Sequence, residues 1–167
     1  MKFETDRLYI SEITVKDAPF ILKLYNDEAY VRFIGDKNVR TLGDAKKNIE
    51  EKFIPVYKEN EYGYYLVSLK SDNTPIGTCG LIKRDGLDNV DLGFAFLKEF
   101  RGKGYAYEAT KRVLDFGLEE LKMSPIAAIT TIENISSSNL LERMGFKHER
   151  NLFIPNDPEE LRLFIHY

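Results

Sequence analysis

Cysteine, histidine and tryptophan are scarce in this chain. Cys79 is the single cysteine, so no intrachain disulfide can form. With two histidines, His148 and His166, there is no Cys/His cluster to hold a structural zinc. Long apolar runs are missing as well: stretches such as Leu92 to Leu97 are far too short to span a bilayer. The N-terminus carries Lys2, Glu4, Asp6 and Arg7 where a signal peptide would have an apolar core. A cytoplasmic protein with no membrane partner is therefore expected. Neither sign of charge dominates, since 24 basic residues face 27 acidic ones and the formal net charge is −3. Such a balance offers no bulk attraction to nucleic acid. Linkers, repeats and low-complexity tracts are absent, and the 43% hydrophobic and 31% charged composition is that of a folded chain. The expectation is one domain over residues 1–167.

Hydrophobic periodicity outlines a mixed α/β order. Arg7 to Ile13 reads as a strand. Thr14, with Asp17 three residues on, opens a helix carrying Ala18, Ile21, Leu22 and Tyr25 on one face. A short helical or irregular piece spans Tyr30 to Ile34. Thr41, with Asp44 after it, opens a longer helix to about Tyr57, which Pro55 bends or ends. Tyr64 to Leu69, Ile76 to Lys83 and Val90 to Leu97 form an antiparallel meander, because the joining segments are too short for crossovers. Gly104 to about Lys122 is the strongest helix. It crosses over to a strand at Ile126 to Ile132, so that strand is expected to lie parallel to Val90 to Leu97. Asn134 caps a short helix to Met144, which Gly145 ends. Phe146 to Ile154 and Leu161 to Tyr167 are terminal strands.

Chemistry concentrates in two segments. In the first, Asp91 to Leu97 ends in Lys98-Glu99-Phe100, followed by Arg101-Gly102-Lys103-Gly104-Tyr105-Ala106. A strand gives way to a glycine-bearing basic loop and then to a helix start. Free backbone N–H groups, the helix dipole and close backbone approach at glycine together make a phosphate cradle. The segment is neither a Walker loop nor a dinucleotide fingerprint, because the required Gly-Lys-Ser/Thr and third glycine are missing. A tight turn with a solvated basic edge is the alternative. Within the strand, Val90, Leu92, Phe94 and Phe96 share the core face, while Asp91, Gly93, Ala95 and Leu97 share the other. The second face is an acid followed by a shallow slot, open to a ligand or closed by a packed helix.

The second segment is Glu133-Asn134-Ile135-Ser136-Ser137-Ser138-Asn139-Leu140-Leu141-Glu142-Arg143-Met144-Gly145-Phe146. It again places hydrogen-bonding groups at a strand-to-helix turn. The plain alternative is a surface helix with Asn134 as N-cap and Ser137 at its third position.

Together these segments resemble the GNAT superfamily of N-acetyltransferases. Arg101-x-x-Gly104-x-Ala106 matches the family's pyrophosphate-loop pattern. Gly104-Tyr105-Ala106-x-Glu108-Ala109, Asn134-x-x-Ser137-x-x-x-Leu141-Glu142-x-x-Gly145-Phe146, and the opening Thr5-Asp6-Arg7-Leu8 with Asp17-Ala18 look like the branch that includes ribosomal-protein N-terminal acetyltransferases. The resemblance implies a mixed, mostly antiparallel twisted sheet flanked by helices, with its fourth and fifth strands splayed. Acetyl-CoA would bind in that splay as co-substrate, without a metal.

By the same resemblance, Arg101, Gly102, Lys103, Gly104, Tyr105 and Ala106 would hold the pyrophosphate. The backbone of Phe96 and Leu97 would carry the pantetheine arm, with Asn134 and Ser137 near its amides and sulfur. The acceptor would be a primary amine, on a protein N-terminus or a small molecule, and it must lose a proton before attacking the thioester. Asp91 stands where the family often has a glutamate base. Its shorter side chain suggests a water relay, and a solvent-facing strand acid is the alternative. Leu141 replaces the tyrosine many members use as acid. Ser137 matches the branch's proposed proton donor, or only orients pantetheine. A homodimer is common in that branch. Asp27, Glu28, Asp36 and Asp44 could give the acceptor pocket an acidic wall, or be a solvated helix face. The aromatic cluster Tyr57, Tyr62, Tyr64 and Tyr65 could line that pocket or simply fill a strand face. Cys79 reads as a small core residue.

Overall fold

A computed structural model describes residues 2–167. A short hairpin, β1 (Phe3–Glu4) with β2 (Leu8–Glu12), begins the chain. A single 3₁₀ turn and α1 (Ala18–Tyr25) follow. The expected capping box is present: Asp17 Oδ2 accepts the Thr14 N–H, and the Thr14 hydroxyl accepts a first-turn amide. Next come α2 (Glu28–Phe33), α3 (Leu42–Lys52) and α4 (Ile54–Glu59). Thr41 and Asp44 form a second reciprocal box at the start of α3. The single long helix expected there is two helices, because Pro55 sits in the first turn of α4, where its missing N–H costs nothing.

The remaining elements are β3 (Tyr64–Leu69), β4 (Pro75–Ile82), β5 (Asp91–Phe96), α5 (Tyr105–Asp115), β6 (Ile126–Thr131), α6 (Ile135–Arg143), β7 (Lys147–Leu152) and β8 (Leu161–His166). All eight strands join one sheet in the order β1-β2-β3-β4-β5-β6-β8-β7. Among the described residues only β5 and β6 run parallel, as the α5 crossover requires. The extra β1 makes β5 and β6 the fourth and fifth strands of the sequence reading. The chain's last strand inserts between β6 and β7, so β7 is the sheet edge. Its residues Lys147 to Asn151 are exposed and mostly charged, which blunts that edge against pairing with another chain.

The sheet is buried on both faces. Leu92 and Phe96 of β5 pack under α5 with Val113, Leu114 and Phe116. On the other face Leu97, Leu66 and Ile13 pack with Ile21, Leu24 and Ile49 of α1 and α3. This confirms the period-2 division of β5 read from the sequence. The helix after Gly104 keeps α geometry only to Asp115, and Phe116–Glu120 widens into a π turn. Gly117 explains the close approach there, since an added Cβ would meet Leu81 and Ile126 at 2.9 Å.

Candidate active site

The site begins with a missing ladder. β5 and β6 pair at one position, Asp91 with Ala127, and the Ala127 N–H donates to the Val90 carbonyl over 2.8 Å. Beyond it β6 pairs along its whole length with β8 and leaves β5. On the other edge of β5, the Leu97 N–H donates to the Ile76 carbonyl of β4. Antiparallel alternation then turns the N–H groups of Phe94 and Phe96 towards the gap. The Leu97 amide is thus already used, and the Leu97 side chain is buried among α1 and α3. A ligand lying along this edge would meet Phe94 and Phe96 rather than Phe96 and Leu97. The gap opens into a cavity of about 280 Å³ that reaches Asp91, Asn134, Ser137, Arg101 and Ala106.

At one end of this cavity lies the basic loop. Gly102 and Gly104 have φ of +74° and +83°, values that favour glycine, and they bring the chain from β5 into α5. No side chain caps α5, so its first-turn N–H groups are free for an anion. The Arg101 guanidinium does not face the loop. It donates to the Phe96 carbonyl at 2.7 and 3.0 Å and to Asp27 at 3.1 Å, tying the loop to β5 and α2. Lys103 and Tyr105 lie on either side of Gly104, the lysine exposed and the tyrosine half-buried.

The loop is clamped from outside. Glu108 accepts the Thr5 hydroxyl at 2.6 Å, the Arg7 N–H at 2.9 Å and Arg7 Nε at 2.7 Å. Against the cost of burial, these donors hold its carboxyl below the usual range. Arg7 also donates to the Lys103 carbonyl at 3.0 Å and stacks over Tyr105. A helix-dipole role alone would account for Glu108, but its carboxylate is spent on the β1–β2 turn. Thr5-x-Arg7 and Glu108 are two halves of one clamp.

Asp91 is not a solvent-facing acid. It is 1% exposed, and its Oδ2 accepts Arg84 Nε at 2.8 Å while Oδ1 is buried without a hydrogen-bond partner. Burial pushes its carboxyl up to about 6, and Arg84 only partly offsets that. A carboxylate poised near neutrality in a cavity is suited to take a proton. The slot beside it is closed. An added Cβ at Gly93 would lie 1.7 Å from the Tyr64 hydroxyl, so glycine is what lets Tyr64 reach over β5. The slot is thus a seat for the tyrosine of β3, which enters it across β4. Tyr64 alone of the four clustered tyrosines lines this cavity. Tyr57 instead accepts the Ile13 N–H and donates to the Tyr64 carbonyl.

Both readings of the second segment meet at Asn134. Its Oδ1 accepts the Ser137 N–H at 3.2 Å as an N-cap, and both residues border the cavity. Ser137 is half-buried, and its hydroxyl makes no hydrogen bond among the described residues. Leu141 is core. The acidic wall does not form. Asp36 pairs with Arg40, Asp44 caps α3, and Asp27 caps α2 while binding Arg101. Glu28 is exposed in the first turn of α2. Cys79 is buried, and burial holds its thiol well above its usual value. Among the described residues no cluster of His, Cys, Asp and Glu is placed to hold a metal, and no helix is long and apolar enough to cross a membrane.

Arg84 was not singled out by the sequence. It lies in the β4–β5 connection, two residues past Ile82, whose partner in the ladder is Asp91. That register was the available signal, since a residue just beyond a paired acid can fold back on it.

The chain matches the model of the acetyltransferase (GNAT) domain over residues 7–147. It is 28% identical over 147 residues to a Bacillus subtilis protein named uncharacterized N-acetyltransferase YoaA, covering 87% of this chain and 82% of that one. The ribosomal-protein-S5-alanine acetyltransferase of Vibrio fischeri superposes with a TM-score of 0.82 at 20% identity, covering 98% and 94% of the two chains. The spermidine N-acetyltransferase of Vibrio cholerae, solved with CoA and spermine, superposes with a TM-score of 0.78 at 19% identity, covering 97% and 96%. With its mostly antiparallel sheet, its single parallel pair parted above a basic loop, and this match, the chain belongs to the GNAT acetyltransferase family.

Proposed function

We propose that the protein transfers an acetyl group from acetyl-CoA to a primary amine bound beside Asp91. One observation carries this reading. The gap between β5 and β6, the free N-terminus of α5 and the buried Asp91 carboxylate all open into the same cavity. The residues fit CoA on their own chemistry. Gly102 and Gly104 give backbone access for a pyrophosphate, an added Cβ at Gly102 meets nothing within 4 Å, and β5 offers unpaired amides for a pantetheine arm. The CoA complex of the spermidine enzyme supports the same cofactor here.

In this reading the amides from Arg101 to Ala106 hold the pyrophosphate, with Lys103 adding charge. Phe94 and Phe96 N–H groups bind the pantetheine arm, and the Asn134 amide nitrogen reaches it from α6. Acetyl-CoA supplies a thioester whose acyl carbon bonds to the amine nitrogen as the carbon–sulfur bond breaks. Asp91 Oδ1 takes the ammonium proton, directly or through one water, and a β5 amide is placed to hold the carbonyl oxygen. The Ser137 hydroxyl donates to the departing sulfur or orients it.

Free-thiol release from acetyl-CoA in the presence of an amine panel tests this function. The expected result is amine-dependent thiol release that falls in Asp91→Asn. CoA binding with no thiol release on any amine would make the chain a binding module and overturn the reading.

A further inference from the structure

Arg84 is bound at one edge only. Its Nε donates to Asp91 Oδ2, and its Nη1 and Nη2 make no hydrogen bond among the described residues. The side chain is 32% exposed and lines the cavity. Tyr30 of α2 and Tyr64 of β3 line the same cavity as Arg84. Asp91 Oδ1, beside the guanidinium, is buried and meets no full hydrogen bond, the Ile129 amide helping only to favour its charged form. Beside the cavity, an unpaired carboxylate oxygen and an unpaired guanidinium edge are therefore immediate neighbours.

The other charges do not cancel that pairing. Arg101 is spent on Phe96 and Asp27. Asp157, the other carboxylate that lines the cavity with Asp91, accepts the Glu159 N–H in its own loop. Lys37 sits close enough to Arg84 for its ammonium to be held below the usual range, burial being the larger cause. An anion arriving at Arg84 would ease that repulsion.

Resting on the acetyltransferase reading, we propose that the acceptor is a free amino acid, its amine at Asp91 Oδ1 and its carboxylate on the Nη edge of Arg84. A guanidinium fork fits a carboxylate with two parallel hydrogen bonds. The ammonium and carboxylate of the substrate then lie antiparallel to the Asp91–Arg84 pair. A polyamine would bring a second cation against Arg84 instead. A peptide would offer one neutral carbonyl to Arg84 in place of a carboxylate. Tyr30, Phe33, Ile34 and Ile154 supply an apolar wall, so the side chain fitted is apolar or aromatic.

The test is a steady-state panel with acetyl-CoA: amino acids with apolar and aromatic side chains, their amides, their decarboxylated amines, an N-terminal tripeptide and spermidine. The expected result is a kcat/KM for the free amino acid at least about tenfold above its amide and its decarboxylated amine. Arg84→Lys keeps a cation beside Asp91 but loses the fork. It should collapse that ratio to within about threefold, chiefly through a higher KM for the amino acid. A preference for amide, tripeptide or spermidine overturns this inference and leaves the acetyltransferase reading intact. Acetyl-CoA binding with turnover of other amines but no amino acid has the same meaning. Thiol release on no acceptor at all defeats both.

Discussion

Arg7 Nε and Glu108 Oε2 lie 2.7 Å apart, and through this pair the first hairpin of the chain holds the start of α5. Arg7 is 46% exposed, so the charge pair alone is worth little. The arrangement matters because Glu108 satisfies three donors at once and Arg7 also grips the Lys103 carbonyl. Glu108→Ala should destabilise the fold by about 1–3 kcal/mol. It should also weaken CoA binding severalfold, because the loop loses its outer support. Denaturant melts and CoA titration of the same variant check both. Unchanged CoA affinity would mean the loop holds its shape without the clamp.

Gly104→Val should abolish CoA binding. Its φ of +83° is strained for a β-branched residue, and an added Cβ would meet Arg7 Nη2 at 3.2 Å. Gly102 has φ +74° and open space around it. Gly102→Asn should therefore keep most of the affinity, since asparagine tolerates the left-handed region. Equal losses in the two variants would point to a general need for flexibility rather than to the shape at Gly104.

Asp91→Asn should lower kcat more at pH 6.5 than at pH 9.5, where the amine sheds its own proton. The wild-type profile should carry a limb near pH 6, from the raised carboxyl, that the variant lacks. A ratio of rates that stays flat with pH would leave Asp91 structural. Stability gives a second readout. A folded-state value above the unfolded one contributes stability that is complete below the unfolded value, about 4, and is lost as pH rises through about 6. The melting temperature of Asp91→Asn relative to wild type should therefore climb between about pH 4 and pH 6 and level off above that.

Gly93→Ala should be destabilising by about 1–3 kcal/mol, because the new methyl meets the Tyr64 hydroxyl at 1.7 Å. Tyr64→Phe removes that oxygen. The double variant should recover part of the loss, a coupling that a thermodynamic cycle reads directly. Strict additivity would place Tyr64 elsewhere.

Much of this was legible in the sequence. Thr14/Asp17 and Thr41/Asp44 announced their capping boxes, and period 2 divided β5 correctly, because both depend on residues a few positions apart. The loop was legible for the same reason. What stayed hidden depends on distant chain. Glu108 looked complete as a first-turn acid until Thr5 and Arg7 arrived from 101 or more residues away. The slot at Gly93 looked empty because Tyr64 enters it across β4. The two-residue β1 carries too little pattern to be seen, and β8 between β6 and β7 is a matter of topology that local pattern does not encode.

Ser137→Ala should reduce turnover modestly, with little change in folding, because the N-cap bond uses the Ser137 backbone and the Asn134 side chain. Asn134→Ala should cost about 1 kcal/mol of stability as well as CoA affinity. Identical behaviour of the two variants would argue against separate roles.

The central claim is that the parted β5–β6 edge and the loop below it form a CoA site. Calorimetric titration of the purified protein with acetyl-CoA, CoA and ATP tests it most directly. The account predicts saturable one-to-one binding of acetyl-CoA and CoA and none of ATP, because the adenine nucleotide lacks the arm that the β5 amides receive. Heat from ATP equal to that from CoA would reduce the loop to a general phosphate site. No heat from any of the three would contradict the account.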